Sequence, residues 1–145
     1  MIIVSVDLGL ARTGLAVCDK GEVLASPLSV IHERDRQRLA GKICAAAKEA
    51  RAEGLVVGLP RNMDGTEGES ARRAREMGAL LAGMSGLPVD FCDERGTTIT
   101  AHHYLNATNT RGKKRKAVVD AVAAVVILEG YLQARRQAGP GHFPL

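Results

Sequence analysis

Ala117-Val118-Val119-Asp120-Ala121-Val122-Ala123-Ala124-Val125-Val126-Ile127-Leu128 is the stretch on which the fold turns. Every residue in it is Ala, Val, Ile or Leu except Asp120. The pattern predicts a helix over 117–136 that is apolar around most of its circumference. Such a helix must be covered, so it belongs against a sheet. An ionised carboxylate within it is costly unless a cation, a metal or hydrogen bonds compensate it.

Working outward, the chain supplies that sheet. Residues 2–7 run apolar into Asp7 and read as a strand. Residues 13–18 and 22–31 read as two more, joined by the tight-turn signal Asp19-Lys20-Gly21. Leu39, Ile43, Ala46 and Ala50 recur at helical spacing over 35–53, with Asp35 placed to cap the start and Gly54 to end it. Residues 55–59 form a short buried strand. Thr66 with Glu69 reads as a capping box for a helix to about Met84, closed by Gly86 and Pro88. A strand over 88–92 and a short helix near 98–106 precede the long helix. Strands separated by helices imply parallel neighbours. The expected fold is α/β: a mixed five-stranded sheet, antiparallel among its first three strands and parallel for the last two, with helices on both faces. One domain is expected over 1–136, followed by a flexible tail over 137–145.

Composition narrows the classes. A chain of 145 residues can bury a real core, and 46% hydrophobic with 25% charged is ordinary for a soluble domain. There is no signal-type segment and no apolar run of membrane-spanning length, so a cytoplasmic protein with no membrane partner is expected. Cys18, Cys44 and Cys92 fit neither a zinc pattern nor a disulfide framework. The formal charge of +4 permits a polyanionic partner. Aromatic residues are only 3%, which leaves little for base stacking and favours recognition by backbone charge and shape.

Asp7, Glu94 and Asp120 all stand in apolar settings, at strand ends or on the buried helix. Three converging carboxylates would repel one another and protonate unless cations neutralise them. Oxygen-only ligands suit Mg²⁺ or Mn²⁺ better than zinc, and paired hard ions suit in-line displacement at a phosphodiester. The plainer alternative has Asp7 capping a turn, Glu94 pairing with Arg95 and Asp120 capping a neighbouring segment. Spacing alone leaves both open.

The motifs taken together resemble the YqgF family of ribonuclease H-like proteins, described as Holliday-junction-resolvase-like and as pre-16S rRNA nucleases. The resemblance rests on Val6-Asp7-Leu8-Gly9 with Arg12-Thr13-Gly14, and on Val56-Val57-Gly58-Leu59-Pro60 with Asn62-Met63-Asp64-Gly65-Thr66. It continues through Asp93-Glu94-Arg95 with Thr97-Thr98, and Asp120-Ala121-Val122-Ala123-Ala124 with Ile127-Leu128. These occur in family order across residues 2 to about 132. The resemblance implies a ribonuclease H-like domain with Asp7, Glu94 and Asp120 as catalytic metal ligands for Mg²⁺ or Mn²⁺. Gly96 departs from the leucine usual there, and Leu10-Ala11 from a common Thr-Lys.

Arg111-Gly112-Lys113-Lys114-Arg115-Lys116 is the clearest nucleic-acid contact, since it leads directly into the Asp120 helix. Arg12, Arg61 and Arg95 join Arg111, Lys113, Lys114, Arg115 and Lys116 as candidate contacts. Arg72, Arg73 and Arg75 read as a solvated helix face, and His102 and His103 as surface histidines. Asp64 and Asp93 are possible auxiliary acids. The glycine-bearing loop after Asp7 also resembles the phosphate-binding hairpin of actin-like and sugar-kinase ATPases, although one domain is too short for that class. The reading that results is a metal-dependent nuclease acting on pre-rRNA, with the small ribosomal subunit precursor as a partner. Branched-DNA resolution is the first alternative, and a non-catalytic nucleic-acid-binding module the second. Oligomeric state is not legible in the sequence.

Overall fold

The computed structural model describes residues 1–93, 112–139 and 143–144, with side chains in the last helix described from Ala121 onward. Five strands, β1 (Ile3–Asp7), β2 (Arg12–Cys18), β3 (Ala25–His32), β4 (Gly54–Leu59) and β5 (Val89–Asp93), form one sheet in the order β3-β2-β1-β4-β5. β1 pairs antiparallel with β2 and β2 with β3, whereas β4 lies parallel to β1 and β5 parallel to β4. This is the mixed sheet expected from the sequence. The short helix expected near 98–106 lies outside the described residues.

Alternation along the strands sorts side chains onto two faces. Val4, Val6, Leu15, Leu55, Val57 and Leu59 face α1 (Arg36–Glu49) and α2 (Glu69–Ser85) in one core. Ile3, Ala16, Cys18 and Val56 face α3 (Gly112–Ala138) in the other, against Ala124, Ile127, Leu128, Tyr131 and Leu132. β1 and β4 lie between partners with both faces covered, which is why they are nearly continuous apolar runs. β3 is an edge strand with alternating exposure. It carries Pro27 where the register with β2 slips between Leu15 and Ala16, a place where a missing N–H costs no ladder bond.

Several boundaries depart from expectation. Asp35 does cap α1, its Oδ1 accepting the Arg38 N–H at 2.9 Å. The helix ends at Glu49 and Ala50, with Arg51 at φ 61, rather than at Gly54; Gly54 instead opens β4 opposite Ile3. The Thr66–Glu69 capping box does not form. Gly68 is the N-cap of α2 without a side-chain bond, because Thr66 Oγ1 donates to Asp64 Oδ1 at 2.7 Å and Glu69 pairs with Arg72. Both alternatives are local and cheap, so the turn wins over the cap. Gly86, at φ 73, closes α2 as expected. α3 begins before residue 117 and runs past 136 to Ala138, and Phe143 packs edge-on against Tyr131 at 5.6 Å between ring centroids. Among the described residues no helix is long and apolar enough to cross a membrane, and the three cysteines are free.

Among the described residues, polar contacts along α3 tie it to the sheet and its first hairpin. Ser5 Oγ donates to the Ala124 carbonyl at 2.6 Å, and Cys92 Sγ lies 3.7 Å from the Ile127 carbonyl. Tyr131 donates to Asp90 Oδ2 at 2.8 Å, and Arg135 Nε to Glu22 Oε1 at 2.8 Å. Burial pushes the Tyr131 phenol well above its ordinary pKa, and the bond to Asp90 adds to the shift. Arg135 is 4% exposed, so Glu22 neutralises a buried guanidinium.

Two tests of this packing follow. α2 lies so close to β5 that a Cβ on Gly78 would come within 2.5 Å of the Phe91 ring, whereas one on Gly83 of the same helix meets nothing within 4 Å. Gly78→Val is expected to destabilise by about 1–3 kcal/mol through overpacking. Gly83→Ala is expected to stabilise by roughly 0.5–1 kcal/mol through helix propensity. Chemical denaturation of both variants checks the opposite signs. The second test is Glu22, whose carboxyl is held below its ordinary value of 4.5 chiefly by the Arg135 hydrogen bond. A lowered carboxyl contributes stability above the unfolded pKa and loses it as pH falls through the folded one. Glu22→Gln is expected to cost roughly 1.5–3 kcal/mol at neutral pH, and the gap to the wild type should narrow below about pH 4.5. Melting curves taken between pH 7 and pH 3 read this directly.

Candidate active site and its relatives

The four contacts fix the direction of α3. From Asp90 to Cys92 the chain moves toward the carboxyl end of β5, while the partners on α3 step back from Tyr131 to Ile127. α3 therefore runs against β1, β4 and β5. From Ser5, which holds Ala124, the two residues to Asp7 advance about 6.6 Å along β1. The four residues from Ala124 back to Asp120 retreat about 6 Å along the helix. The main chain of Asp120 thus stands level with Asp7 at the carboxyl edge of the sheet, on the face that α3 covers. In sheets of this kind ligands gather beyond that edge.

The remaining elements at this edge follow from register. Val6 pairs with Val57 and Gly58 with Cys92, so β4 and β5 end beside Asp7. Asp93 is the last residue of β5, opposite Leu59, and is exposed. Glu94 follows it and lies outside the described residues, as do Arg95, Arg111, His102 and His103. Lys113, Lys114, Arg115 and Lys116 occupy the first turns of α3. Among the described side chains no group of three or more His, Cys, Asp or Glu gathers, and Asp7 is the one proposed ligand whose side chain is described.

Two loops shape the edge. Between β1 and β2 the chain folds back so closely that a Cβ on Gly9 would overlap the Arg12 carbonyl oxygen. Only glycine permits that approach, and the tight return holds Asp7 opposite Gly14. Between β4 and α2, Asp64 organises its own loop: Oδ1 accepts from the Thr66 N–H at 3.0 Å as well as from its hydroxyl. Asn62 Nδ2 donates to Thr66 Oγ1 at 2.9 Å. Asp64, read as an auxiliary acid, thus has a local structural partner.

Arg61 leaves β4 on this loop with a buried Nε that has no hydrogen-bond partner among the described residues. Glu67 lies 3.6 Å from its Nη2, but Glu67 is already engaged by Arg75 through bonds of 2.7 and 2.6 Å. Arg75 holds the Glu67 carboxyl below its ordinary range and also stacks over Phe91 at 5.3 Å. Arg75, read as part of a solvated face, is exposed there and also holds Glu67 and lies over Phe91. Sequence reasoning also missed the Asp90–Tyr131 and Glu22–Arg135 contacts. The signal available was a lone polar residue in each apolar strand or helix stripe, as at Ser5, Asp90 and Arg135.

The RuvX family, described as Holliday junction resolvase, matches residues 1–134. The chain belongs to this family. It is 44% identical over 129 residues to an Anaeromyxobacter sp. (strain Fw109-5) protein named as a candidate pre-16S rRNA nuclease, covering 89% of this chain and 94% of that one. A Rhodopirellula baltica protein of the same name is 42% identical over 93% of this chain and 78% of its own length. Among solved structures, T. thermophilus RuvC in complex with a Holliday junction substrate superposes with a TM-score of 0.62 at 16% identity, covering 94% of this chain and 96% of that one. The fowlpox virus resolvase superposes at 0.59 and 10% identity, covering 92% and 98%. These likenesses show the ribonuclease H-like fold, and family membership makes the chain a hydrolase of the nuclease class.

The glycine contact yields a prediction. In Gly9→Ala the loop must open and move Asp7, and a misplacement near 1 Å can cost on the order of 10²-fold in rate. Nuclease activity should fall by that order while circular dichroism stays that of the folded chain. Activity equal to the wild type would show that the loop geometry does not set the position of Asp7.

Proposed function

We propose that the chain is a metal-dependent nuclease that processes the 5′ end of pre-16S rRNA, with Asp7, Glu94 and Asp120 as its catalytic metal ligands. The observation that carries this reading is the antiparallel run of α3, which brings the Asp120 main chain level with Asp7 where β5 leads into Glu94. The relatives' names supply the substrate.

The donor set is all carboxylate, which fits Mg²⁺ or Mn²⁺ and fits zinc poorly. When bound, paired ions of this kind supply activation of water and stabilisation of the leaving oxygen. The chain's own residues do the positioning. The Gly9 return holds Asp7 at the edge. The unpartnered Arg61 Nε offers a donor to a non-bridging phosphate oxygen, a charge-assisted bond that would relieve a buried orphan. Arg12 and Arg95 flank two of the acids in sequence. Arg111, Lys113, Lys114, Arg115 and Lys116 bind phosphates beside the scissile one by charge and counterion release. With few aromatic residues, the protein reads backbone and shape, and the small-subunit precursor in the cytoplasm presents the site.

Branched DNA is the second reading, favoured by the family's description and by the RuvC superposition. Labelled pre-rRNA and four-way DNA junctions, each incubated with the purified protein and Mg²⁺ or Mn²⁺, separate the two. Cleavage at the 16S 5′ end without junction cutting is expected. Junction resolution with intact pre-rRNA would reverse the assignment. Asp7→Asn, Glu94→Gln and Asp120→Asn should each lower cleavage by more than the ~10–100-fold typical of losing an outer-shell partner, with the fold retained. Full activity in any of the three removes that residue from the site.

A further inference from the structure

A second basic feature lies on the opposite face of the sheet from α3, at the same carboxyl edge. Leu8, Gly9 and Leu10 of the β1–β2 return, Arg34 and Arg36 at the start of α1, and Arg73 of α2 surround a cleft of about 190 Å³. Leu39 and Met77, both buried, form its floor. The three guanidiniums differ in engagement. Arg36 pairs with Glu76 at 3.0 Å. Arg73 donates to the neutral Ser70 hydroxyl at 3.2 Å and lies within electrostatic reach of Glu69, and the Arg34 guanidinium has no ion pair among the described residues. Leu10 is 66% exposed above the cleft. An apolar floor beneath two guanidiniums with no close ion pair among the described residues suits a ligand with an apolar ring face and an adjacent anionic group. A volume below the roughly 300 Å³ of ordinary ligand pockets limits it to a small unit.

The position identifies that unit. Leu8 lines the cleft and is the next residue after Asp7, so a chain crossing the sheet edge at Asp7 continues into it. We propose that the cleft is a strand-docking subsite that seats one nucleotide unit of single-stranded RNA running past Asp7. The base lies face-on against Leu8, Leu39 and Met77, and the phosphate of the same unit is held by Arg34 and Arg73. Charge complementarity carries the choice of occupant: a nucleic-acid backbone presents an anion at every unit, and Arg pairs with phosphate through two parallel N–H bonds. The inference rests on the nuclease reading and adds to it a second contact that steers the strand on the far side of Asp7 from α3.

The test measures binding, not cleavage. Fluorescence anisotropy of a short single-stranded RNA is read in EDTA across a salt series, with wild type, Arg34→Ala, Arg73→Ala, the double variant, and the Lys counterpart of each. The double Ala variant should bind about tenfold more weakly, and its salt slope should flatten by about 0.7, one single-strand phosphate contact. The Lys variants should keep the wild-type slope. Wild-type affinity and slope in the double Ala variant overturn the subsite while leaving the nuclease reading standing. Lys variants as weak as the Ala ones also overturn it, because charge would then not be what binds. Failure of the wild type to bind any nucleic acid defeats both readings together. Repeating the series with DNA of the same sequence assigns the contact to phosphate when the loss is equal, and to the ribose when it is confined to RNA.

Discussion

The packing of α3 across one face of the sheet is the constraint on which the rest of the structure depends. β1 and β4 are apolar on both sides, and among the described residues α3, with Met1 and Phe143 at its margin, covers the side carrying Ile3, Ala16, Cys18 and Val56. Apolar burial supplies the attraction, but it is non-directional and would allow the helix to slide or rotate. The polar contacts remove that freedom. Ser5, Cys92, Asp90 and Glu22 lie on different parts of the sheet and its first hairpin, and each meets one residue of the stripe Ala124, Ile127, Tyr131 and Arg135. A shift of one helical turn would leave a buried guanidinium and a buried phenol without partners, a penalty of several kcal/mol.

That registration is what connects stability to chemistry. In the proposed site the helix would contribute Asp120 and the strand Asp7, and neither position has meaning without the other. Fixing Ala124 on Ser5 fixes the level of Asp120 one turn earlier. The same logic holds on the opposite face. Gly78 lets α2 approach Phe91, Arg75 stacks on that ring and holds Glu67, and Glu67 is thereby drawn from Arg61. The result is an arginine at the sheet edge with a donor to spare. An unsatisfied buried donor is costly in a resting fold, and in the proposed site a phosphate oxygen would meet it.

The loops at the carboxyl edge show how local chemistry competes with regular structure. Thr66 and Glu69 have the spacing of a capping box, yet Thr66 is taken by Asp64 two residues away and Glu69 by Arg72 three residues away. For Thr66 the nearer partner loses less chain entropy on ordering, whereas Glu69, at equal separation, takes the opposite charge of Arg72. The turn so formed sets the exit of Arg61 from β4. A cap would have straightened the entry to α2 and released that constraint.

The sequence by itself determined the elements and their order. Alternating and continuous apolar runs mark strands and helices through periodicities that belong to the backbone, so β1 to β5, α1, α2 and the core of α3 were legible. The meander, the parallel pair and helices on both faces followed from connection length and handedness. The motif residues around Asp7, Glu94 and Asp120 carried the family. Tertiary structure alone decided which partner each polar side chain takes. Asp90 with Tyr131, Glu22 with Arg135 and Ser5 with Ala124 span 41, 113 and 119 residues, and no local pattern encodes a pairing across such distances. It also decided that α3 runs against the parallel strands in a single register, and that Arg34 and Arg73, 39 residues apart, border one cleft beside Leu8. The physical reason is the same in each case. Propensity and periodicity are properties of neighbouring residues, whereas satisfying a buried charge depends on whatever the folded chain brings within about 3 Å of it.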